Sequence, residues 1–155
     1  MIKKLALALS MALAAGLPVA GSASAAAPVT QIKGHGLDAC PKQSLCLYEH
    51  SDYNGDSDAK IWVVTGSVER LSEYGANDEA SSAYFNANFT SYTKLFEDAV
   101  YNPSNGDYIT LQGGWKRPSL KNVSGYYDGR LGHRGTEGTV SMNDEVSSVY
   151  ISFNG

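Results

Sequence analysis

The sequence predicts an all-β protein in which two Greek-key motifs pack as a sandwich. Short stretches of alternating apolar and polar residues, rich in β-branched and aromatic side chains, recur between turn residues. No window sustains a helical period beyond about one turn, near residues 68–71. Two further kinds of segment each occur twice, in the same order along the chain, which indicates an internal duplication. Two similar β units with loops at equivalent places favour two Greek keys that share one core.

The clearest repeat is a polar loop. Residues 77–82 read NDEASS and residues 143–148 read NDEVSS, so one substitution separates the two copies. Each copy offers a side-chain amide, carboxylates, hydroxyls and backbone carbonyls, which are the hard oxygen ligands that Ca²⁺ prefers. Asn-Asp and Ser-Ser pairs are also common turn formers, and for one copy alone that interpretation would be favoured. Two copies at equivalent positions favour calcium.

An aromatic hairpin precedes each polar loop. The first begins Leu-Tyr-Glu at residues 47–49, and the second begins Leu-Phe-Glu at residues 95–97. A second ring, Tyr53 or Tyr101, follows five positions after the first, so the two rings of each hairpin are expected to stack.

The two hairpins differ in their turn residues. Gly55 is expected to supply a positive φ where the first hairpin folds over. Pro103 stands at the equivalent place in the second hairpin and cannot adopt that conformation. The second hairpin must therefore turn differently, and Asn105-Gly106 is the candidate turn.

Four stretches are predicted to form strands, at residues 59–64, 82–87, 108–111 and 148–153. The last stretch has a clear inward face, formed by Val149, Ile151 and Phe153. The alternating residues of the 82–87 stretch, from Ala83 onward, are expected to face the same core.

The order of hairpin, polar loop, hairpin and polar loop resembles that of microbial βγ-crystallins. The resemblance covers roughly residues 46–154, and both loop motifs are complete. The opening from Cys40 to His50 is also similar to that of secreted actinobacterial crystallin-fold proteins, some of which are grouped with metalloproteinase inhibitors. The resemblance implies a βγ-crystallin-like sandwich with up to two Ca²⁺ ions at one end, each bound by residues of both repeats.

The resemblance also assigns roles to individual residues. Side-chain oxygens would come from Asp78 and Asp144, backbone carbonyls from Glu79 and Glu145, and hydroxyls from Ser81 and Ser147. Asn77 and Asn143 would shape the loops, and hairpin carbonyls at Glu49 and Glu97 would complete each site. Ser82 and Ser148, which begin the following strands, are expected to tie down the loop.

The chain is expected to divide into three parts. Residues 1–25 have a basic start, an apolar middle and an Ala-Ser-Ala site, so they are predicted to be a signal peptide cleaved near Ala25 in a secreted protein. Residues 26–45 are predicted to be a flexible leader. Residues 46–155 form the domain, with one Greek key at about 46–90 and a second at about 93–154 that carries an insertion at about 113–138.

The two cysteines, Cys40 and Cys46, lie beyond the export signal, where disulfides persist. Pairing them closes a small ring, and a structural disulfide is the interpretation that we favour. The spacing is not that of a C-x-x-C redox motif, and zinc would need two more soft ligands from scattered histidines.

Charge limits the classes of partner. The formal net charge is −4, and loss of the leader, with its two lysines, makes it more negative. Such a chain suits a cation rather than nucleic acid or an anionic membrane, and it is expected to be a monomer. No hydrolase motif such as G-x-S-x-G or H-E-x-x-H is present, so the protein is expected not to be an enzyme.

The insertion at about 113–138 is compatible with two functions. It concentrates basic residues, namely Lys116, Arg117, Lys121, Arg130 and Arg134. We interpret it as a long solvated surface loop, with binding of a partner protein as the alternative. The leading hypothesis is a secreted calcium-binding protein; the alternative is an inhibitor of an extracellular metalloproteinase on the same scaffold.

Overall fold

The computed structural model describes residues 27–103, 106–126 and 137–154, which form two five-stranded antiparallel sheets. The predicted signal peptide, residues 1–25, lies outside the described residues. The first sheet has the order β1-β3-β2-β4-β7 and the second the order β10-β5-β6-β8-β9. The strands of the first sheet are β1 (Val29–Gly34), β2 (Ser44–Tyr48), β3 (Ala59–Val64), β4 (Ser82–Asn86) and β7 (Lys116–Arg117). Those of the second are β5 (Tyr92–Phe96), β6 (Tyr108–Gln112), β8 (Val123–Tyr126), β9 (Glu137–Val140) and β10 (Ser148–Ser152).

The predicted all-β class is confirmed, and the four predicted strands correspond to β3, β4, β6 and β10. In the part of the chain that is described, helical structure is confined to three short 3-10 helices, at Leu37–Ala39, Asp52–Asn54 and Leu71–Tyr74. No helix within those same ranges is long and apolar enough to cross a membrane.

Each half of the chain sends one segment into the sheet of the other half. Strand β7 follows the second hairpin, yet it pairs with β4 of the first sheet, where Arg117 opposes Ala83. In the opposite direction, Val68 of the first half bridges Val149 of β10 in the second sheet. The two contacts are equivalent, because Ala83 and Val149 occupy matching positions in the two repeats. This exchange ties the two Greek keys into one unit.

The core lies between the two sheets and follows the period-2 alternation of the strands. In β3, Trp62 and Val64 face the core, while Ile61 and Val63 pack in a second cluster on the outer face of the first sheet. One residue of the face of β10 that was predicted to point inward is not buried in the core. Phe153 lies just past the end of β10, contacts Phe85 at 5.9 Å between ring centroids, and is 38% exposed.

The prediction of a flexible leader at residues 26–45 is wrong for residues 29–34. These form β1, which pairs with β3 along its whole length. The turn that follows packs over the outer face of the first sheet, where the amide of Gly36 donates to the Tyr53 carbonyl at 2.8 Å. The predicted disulfide is confirmed between Cys40 and Cys46, with a Cα–Cα separation of 5.8 Å. It fastens this segment to the buried strand β2.

The prediction that the insertion at 113–138 is a solvated loop is also wrong for its described part. Residues 116–117 and 123–126 are strands, and Leu120 between them is fully buried. The additional residues of the second repeat lie later in the chain than predicted. In the first repeat a short connection runs from Leu71 to Ala76, whereas the equivalent connection in the second repeat runs from Leu120 to Met142 and includes the hairpin β8–β9. The basic residues Arg130 and Arg134 lie outside the described residues.

Candidate metal centre

Two buried leucines anchor the polar loops at equivalent places. The amide of Leu71 donates to the Ser147 carbonyl, and the amide of Leu120 donates to the Ser81 carbonyl, both at 2.9 Å. Each leucine carbonyl in turn accepts from the residue just before a loop, Ala76 or Met142. Each loop is therefore held at its start by the leucine of its own repeat and near its end by the leucine of the other repeat. The duplication in sequence thus appears in the structure as an approximate two-fold arrangement at one end of the sandwich.

The aspartates of the loops share an uncommon backbone conformation. Asp78 has φ of 56° and Asp144 has φ of 55°, in the left-handed region that Asp and Asn tolerate better than most residues. Each carboxylate accepts a hydrogen bond from the side-chain amide of the preceding residue, Asn77 or Asn143. The resemblance implied that these asparagines shape the loops through side-chain bonds to nearby backbone, whereas the bonds observed here go to the neighbouring carboxylates.

The two loops interlock. The Ser81 hydroxyl donates to Asp144 Oδ1 at 3.3 Å, and the Ser147 hydroxyl donates to Asp78 Oδ1 at 3.3 Å. The backbone repeats the pattern, because the Asp144 amide donates to the Ala80 carbonyl at 2.9 Å and the Asp78 amide donates to the Val146 carbonyl at 3.3 Å. The structure therefore brings together the aspartate of one repeat with the serine of the other.

These contacts, together with the ligands that the resemblance implies, give two candidate sites. The Glu79 site consists of Glu79, Ser81, Asp144 and the hairpin residue Glu49. The Glu145 site consists of Glu145, Ser147, Asp78 and the hairpin residue Glu97. Each site takes its aspartate from one repeat and its remaining members from the other.

The last serine of each polar loop holds a hairpin in place. Ser82 Oγ donates to the His50 carbonyl at 2.6 Å and accepts from the Tyr53 amide at 3.1 Å. Ser148 Oγ makes the equivalent contacts, to the Asp98 carbonyl at 2.6 Å and from the Tyr101 amide at 3.1 Å. Each serine therefore ties its polar loop to a hairpin, in agreement with the prediction that it ties down the loop.

The aromatic pairs lie on their hairpins as predicted. The ring centroids of Tyr48 and Tyr53 are 5.5 Å apart, and those of Phe96 and Tyr101 are 6.0 Å apart. Gly55 has φ of 56°, as its place in the first fold-over requires.

The two hairpins share part of their turn, because Asp52 and Tyr53 have positive φ and so do the equivalent residues Val100 and Tyr101. They differ at Gly55, because Pro103 stands at the equivalent place and cannot take a positive φ. Asn105, part of the candidate turn, lies outside the described residues. Gly106 is buried, and a Cβ at this position would stand 3.1 Å from the Glu97 side chain.

The hairpin glutamates use their side chains to brace the neighbouring strand. Glu49 Oε2 accepts from the Lys60 amide at 3.0 Å, and Glu97 Oε2 accepts from the Asp107 amide at 2.8 Å. The hydrogen bond from the Lys60 amide is the main reason why the pKa of Glu49 lies below its ordinary value. Their carboxylates are thus engaged in the fold, which is compatible with the prediction that they contribute through their carbonyls.

The two sites differ in charge. Lys60 Nζ lies 3.2 Å from Glu79 Oε2 and 3.3 Å from Glu49 Oε1. Hydrogen bonds to these carboxylates, that of Glu79 first, raise the pKa of the lysine. In the second repeat the equivalent position is Asp107. Burial, together with the charges of neighbouring carboxylates that include Glu97 and Asp107, raises the pKa of Glu145 above its ordinary value.

The donor atoms fit a hard cation. The Ser–Asp oxygens of each site are 3.3 Å apart, and two oxygens that share one Ca²⁺ at about 2.4 Å lie on the order of 3 Å from each other. Asp78 and Asp144 are exposed, so an ion can reach them. Among the residues that the structure describes, no three His, Cys, Asp or Glu side chains gather into a metal-binding cluster. Each site would therefore depend on one carboxylate with hydroxyl and carbonyl oxygens, the mixed set that the sequence predicts.

Sequence reasoning missed four residues of this end. Leu71 and Leu120 could have been found as apolar residues preceding each loop, but the different lengths of the two connections hide their equivalence. Lys60 and Asp107 could not have been found from spacing, because their neighbours at the site come from other strands and loops.

Comparison with known proteins gives a match to a family profile and a similar fold. The profile of peptidase inhibitor family I36 matches residues 35–111. A solved structure described as concerning the evolution of the eye lens βγ-crystallin domain fold is similar, with 23% identity over 81% of this chain and 100% of that chain, at a TM-score of 0.54. A βγ-crystallin from Ciona intestinalis is 22% identical over 70% of this chain and 99% of its own, at a TM-score of 0.45. No curated protein sequence matches the chain. The protein is therefore a βγ-crystallin-fold protein related to the peptidase inhibitors of family I36.

Proposed function

We propose that this is a secreted, non-enzymatic protein that binds Ca²⁺ at the Glu79 site and the Glu145 site. The observation that carries the proposal is the reciprocal contact of Ser81 with Asp144 and of Ser147 with Asp78. A turn-forming role requires contacts within one loop only, as Asx and Ser turns make them. A turn does not require that each serine hydroxyl contact the carboxylate of the other repeat. A cation bound by both repeats does require it.

Bound calcium would act on the fold as well as on the loops. Each ion would join residues from both repeats, so its binding free energy would add to the stability of the folded state. Without the ion, each aspartate carboxylate meets the other repeat through a serine hydroxyl at 3.3 Å, which is long for a hydrogen bond between oxygens. We therefore expect calcium to stabilise the contact between the Greek keys.

A double-mutant cycle tests whether the sites cross between repeats. Calcium affinity would be measured by calorimetry for Ser81→Ala, Asp144→Asn and the double variant, with Asp56→Asn as an exposed carboxylate outside the loops. If both residues bind one ion, the double variant should lose less affinity than the two single losses combined. Additive losses, or an effect of Asp56→Asn as large as that of Asp144→Asn, would contradict the proposal.

A second candidate function is inhibition of an extracellular peptidase, which the match to family I36 supports. The specific observation is that three exposed aromatic residues, Phe89, Trp115 and Phe153, follow the ends of β4, β6 and β10 that lie opposite the candidate metal sites. Phe89 is 71% exposed and Trp115 is 42% exposed. Exposed aromatic residues grouped at one end of a domain are typical of a surface that binds another protein.

The loop that carries Phe89 is held firmly. The Asn154 side-chain amide donates to the Thr90 carbonyl at 2.8 Å, and the Gly113 amide donates to the Ser91 carbonyl at 2.9 Å. The backbone of Gly113 packs so closely that a Cβ there would stand 1.7 Å from the Asn88 carbonyl oxygen. A loop fixed in this way loses little conformational entropy when a peptidase binds it.

Inhibition assays against a panel of metalloproteinases test this second function. If residues 87–91 form the contact, Phe89→Ala should weaken inhibition by at least about ten-fold, as expected for an aromatic anchor. The melting temperature of the Phe89→Ala protein should equal that of the wild type, because the Phe89 side chain is mostly exposed. Val100→Ala, which alters an exposed apolar residue of the second hairpin, serves as the matched control. Absence of inhibition by the wild-type protein across the panel would contradict the function, and equal inhibition by Phe89→Ala would contradict the choice of loop.

A further inference from the structure

The outer face of the second sheet carries a group of aromatic rings around a lysine. Along β5 and β10, Tyr92, Lys94 and Tyr150 are half-buried or exposed and alternate with buried residues. A cavity of about 360 Å³ on this face is lined chiefly by Tyr92, Tyr101, Tyr108, Tyr150, Phe96 and Lys94. Ligand pockets span about 300–1,000 Å³, so this cavity suits a small ligand or a short segment of a longer one.

The duplication provides an internal comparison for this face. On the first sheet the equivalent face is covered, because Cys40 packs there and is bonded to Cys46 of β2. Strand register matches Cys46 with Lys94 and Ile61 with Tyr108. Both residues of the first sheet are fully buried. An ammonium group and a phenol therefore replace a buried disulfide and a buried isoleucine, and both are groups that favour water or a polar ligand.

The tyrosine rings meet at different angles. The ring centroids of Tyr92 and Tyr150 are 6.0 Å apart with 37° between their planes, and those of Tyr101 and Tyr150 are 6.0 Å apart with 82° between their planes. Tyr150 is 37% exposed. Such rings offer apolar faces, on which the C–H groups of a sugar ring can pack, and hydroxyls that can bond to sugar hydroxyls.

Lys94 supplies positive charge to the cavity. Its ammonium group lies 5.3 Å from the centre of the Tyr108 ring. Within the described ranges Lys94 makes no ion pair with a carboxylate, whereas Lys60 contacts two of them. An ammonium group that lacks a carboxylate partner attracts an anionic group of a ligand.

We propose that this outer face binds an acidic saccharide, a chain of sugar rings that carries carboxylate groups. The rings of Tyr92 and Tyr150 would pack on the faces of the sugars, and Lys94 would pair with a carboxylate. The unpaired lysine favours an anionic ligand, and the mixture of ring faces and hydroxyls favours a sugar over a purely apolar partner. The inference does not depend on the proposed calcium function, because none of these residues belongs to the Glu79 site or the Glu145 site.

An NMR titration with two saccharides tests the proposal. The full chain would be titrated in chelator with an oligosaccharide of galacturonic acid, and separately with a neutral glucose oligosaccharide of equal length. The acidic probe should shift the backbone amide signals of β5, β6 and β10, and it should bind more weakly at higher salt because of screening. The neutral probe should bind about two- to five-fold more weakly than the acidic one.

Three results of this titration would overturn the inference. The first is the absence of shifts on these strands with the acidic probe. The second is equal affinity for the two probes, which would remove the role of charge. The third is that a proline-rich peptide shifts these signals and the saccharides do not, which would make the face a site for a peptide. The chelator keeps calcium out of the measurement, so failure of the calcium sites would not affect the result.

Two variants and one control identify the residues involved. Lys94→Gln should weaken binding of the acidic probe about two- to five-fold and leave the neutral probe unchanged. Tyr150→Thr, which keeps a residue that favours strands, should weaken binding of both probes about three- to ten-fold. Lys116→Gln is the matched control, because its ammonium group lies 5.9 Å from the Tyr84 ring on the first sheet, and it should change neither affinity. Melting temperatures would show that each variant is folded. Wild-type affinity in folded Lys94→Gln and Tyr150→Thr, or an equal loss in Lys116→Gln, would contradict the proposed site.

Discussion

Replacing Leu120 by alanine should destabilise the whole fold, although this residue lies in what the sequence presents as an insertion. Its side chain is fully buried in the core between the sheets. Removing a buried leucine to alanine costs about 3 kcal/mol when the site cannot collapse, which corresponds to a fall in melting temperature of about 10 °C for a domain of this size. The backbone of Leu120 also holds the Ser81 carbonyl and the Met142 amide, so both polar loops should loosen and bind calcium more weakly.

Urea unfolding followed by tryptophan fluorescence would measure the loss. Leu71→Ala, at the equivalent position of the first repeat, should cost a similar amount because Leu71 is equally buried and makes the matching contact to Ser147. Lys121→Ala, at the exposed neighbour, should change the free energy of unfolding by less than about 0.5 kcal/mol. A Leu120→Ala protein within about 1 kcal/mol of wild type would refute the assignment of this residue to the core.

Three further predictions concern stability. Since the folded-state pKa of Glu145 is raised by burial and neighbouring carboxylates, its contribution to stability is present at low pH and is lost as pH rises through that pKa. Glu145→Gln should therefore raise the melting temperature of calcium-free protein at pH 7 and not below about pH 4; a decrease at pH 7 would contradict this. Replacing Cys40 and Cys46 together by serine should cost about 2 kcal/mol in urea unfolding, and no loss would mean that the ring does not constrain the unfolded chain. Gly113→Ala should cost about 2 kcal/mol or more, because its Cβ meets the Asn88 carbonyl; unchanged stability would show that the loop yields easily.

Patterns that are local in sequence predicted local structure well. The β-branched and aromatic run around Trp62 located β3. The alternation around Val149 located β10, in which Val149 and Ile151 are buried and Tyr150 between them is exposed. The hydroxyls of Ser82 and Ser148 were assigned correctly, since they begin strands directly after turn-forming loops. The disulfide followed from the presence of only two cysteines in a chain that is predicted to be exported.

Features that depend on contacts between distant segments were not predictable in the same way. Strand β1 lies at the edge of its sheet, and Thr30 and Gln31 are exposed, so its sequence lacks the apolar alternation of a half-buried strand. The insertion was placed too early because the return of the chain to the core begins at Leu120, a single apolar residue between Ser119 and Lys121. The residues that lie beside Lys60 and Asp107 are set by strand register and by the way the loops of the two repeats cross. Spacing along the chain does not give this information.

Thermal unfolding in the presence and absence of calcium tests the central claim most directly. The protein would be melted in millimolar Ca²⁺, in chelator, and in Mg²⁺ at matched ionic strength, with an Asp78→Asn, Asp144→Asn double variant alongside. Binding to the folded state alone should add about 2.7 kcal/mol per site at 100 times the dissociation constant, so calcium should raise the melting temperature by several degrees. The double variant should lose most of that rise. Melting curves that coincide in calcium and in chelator would contradict the claim that these interlocked loops are calcium sites.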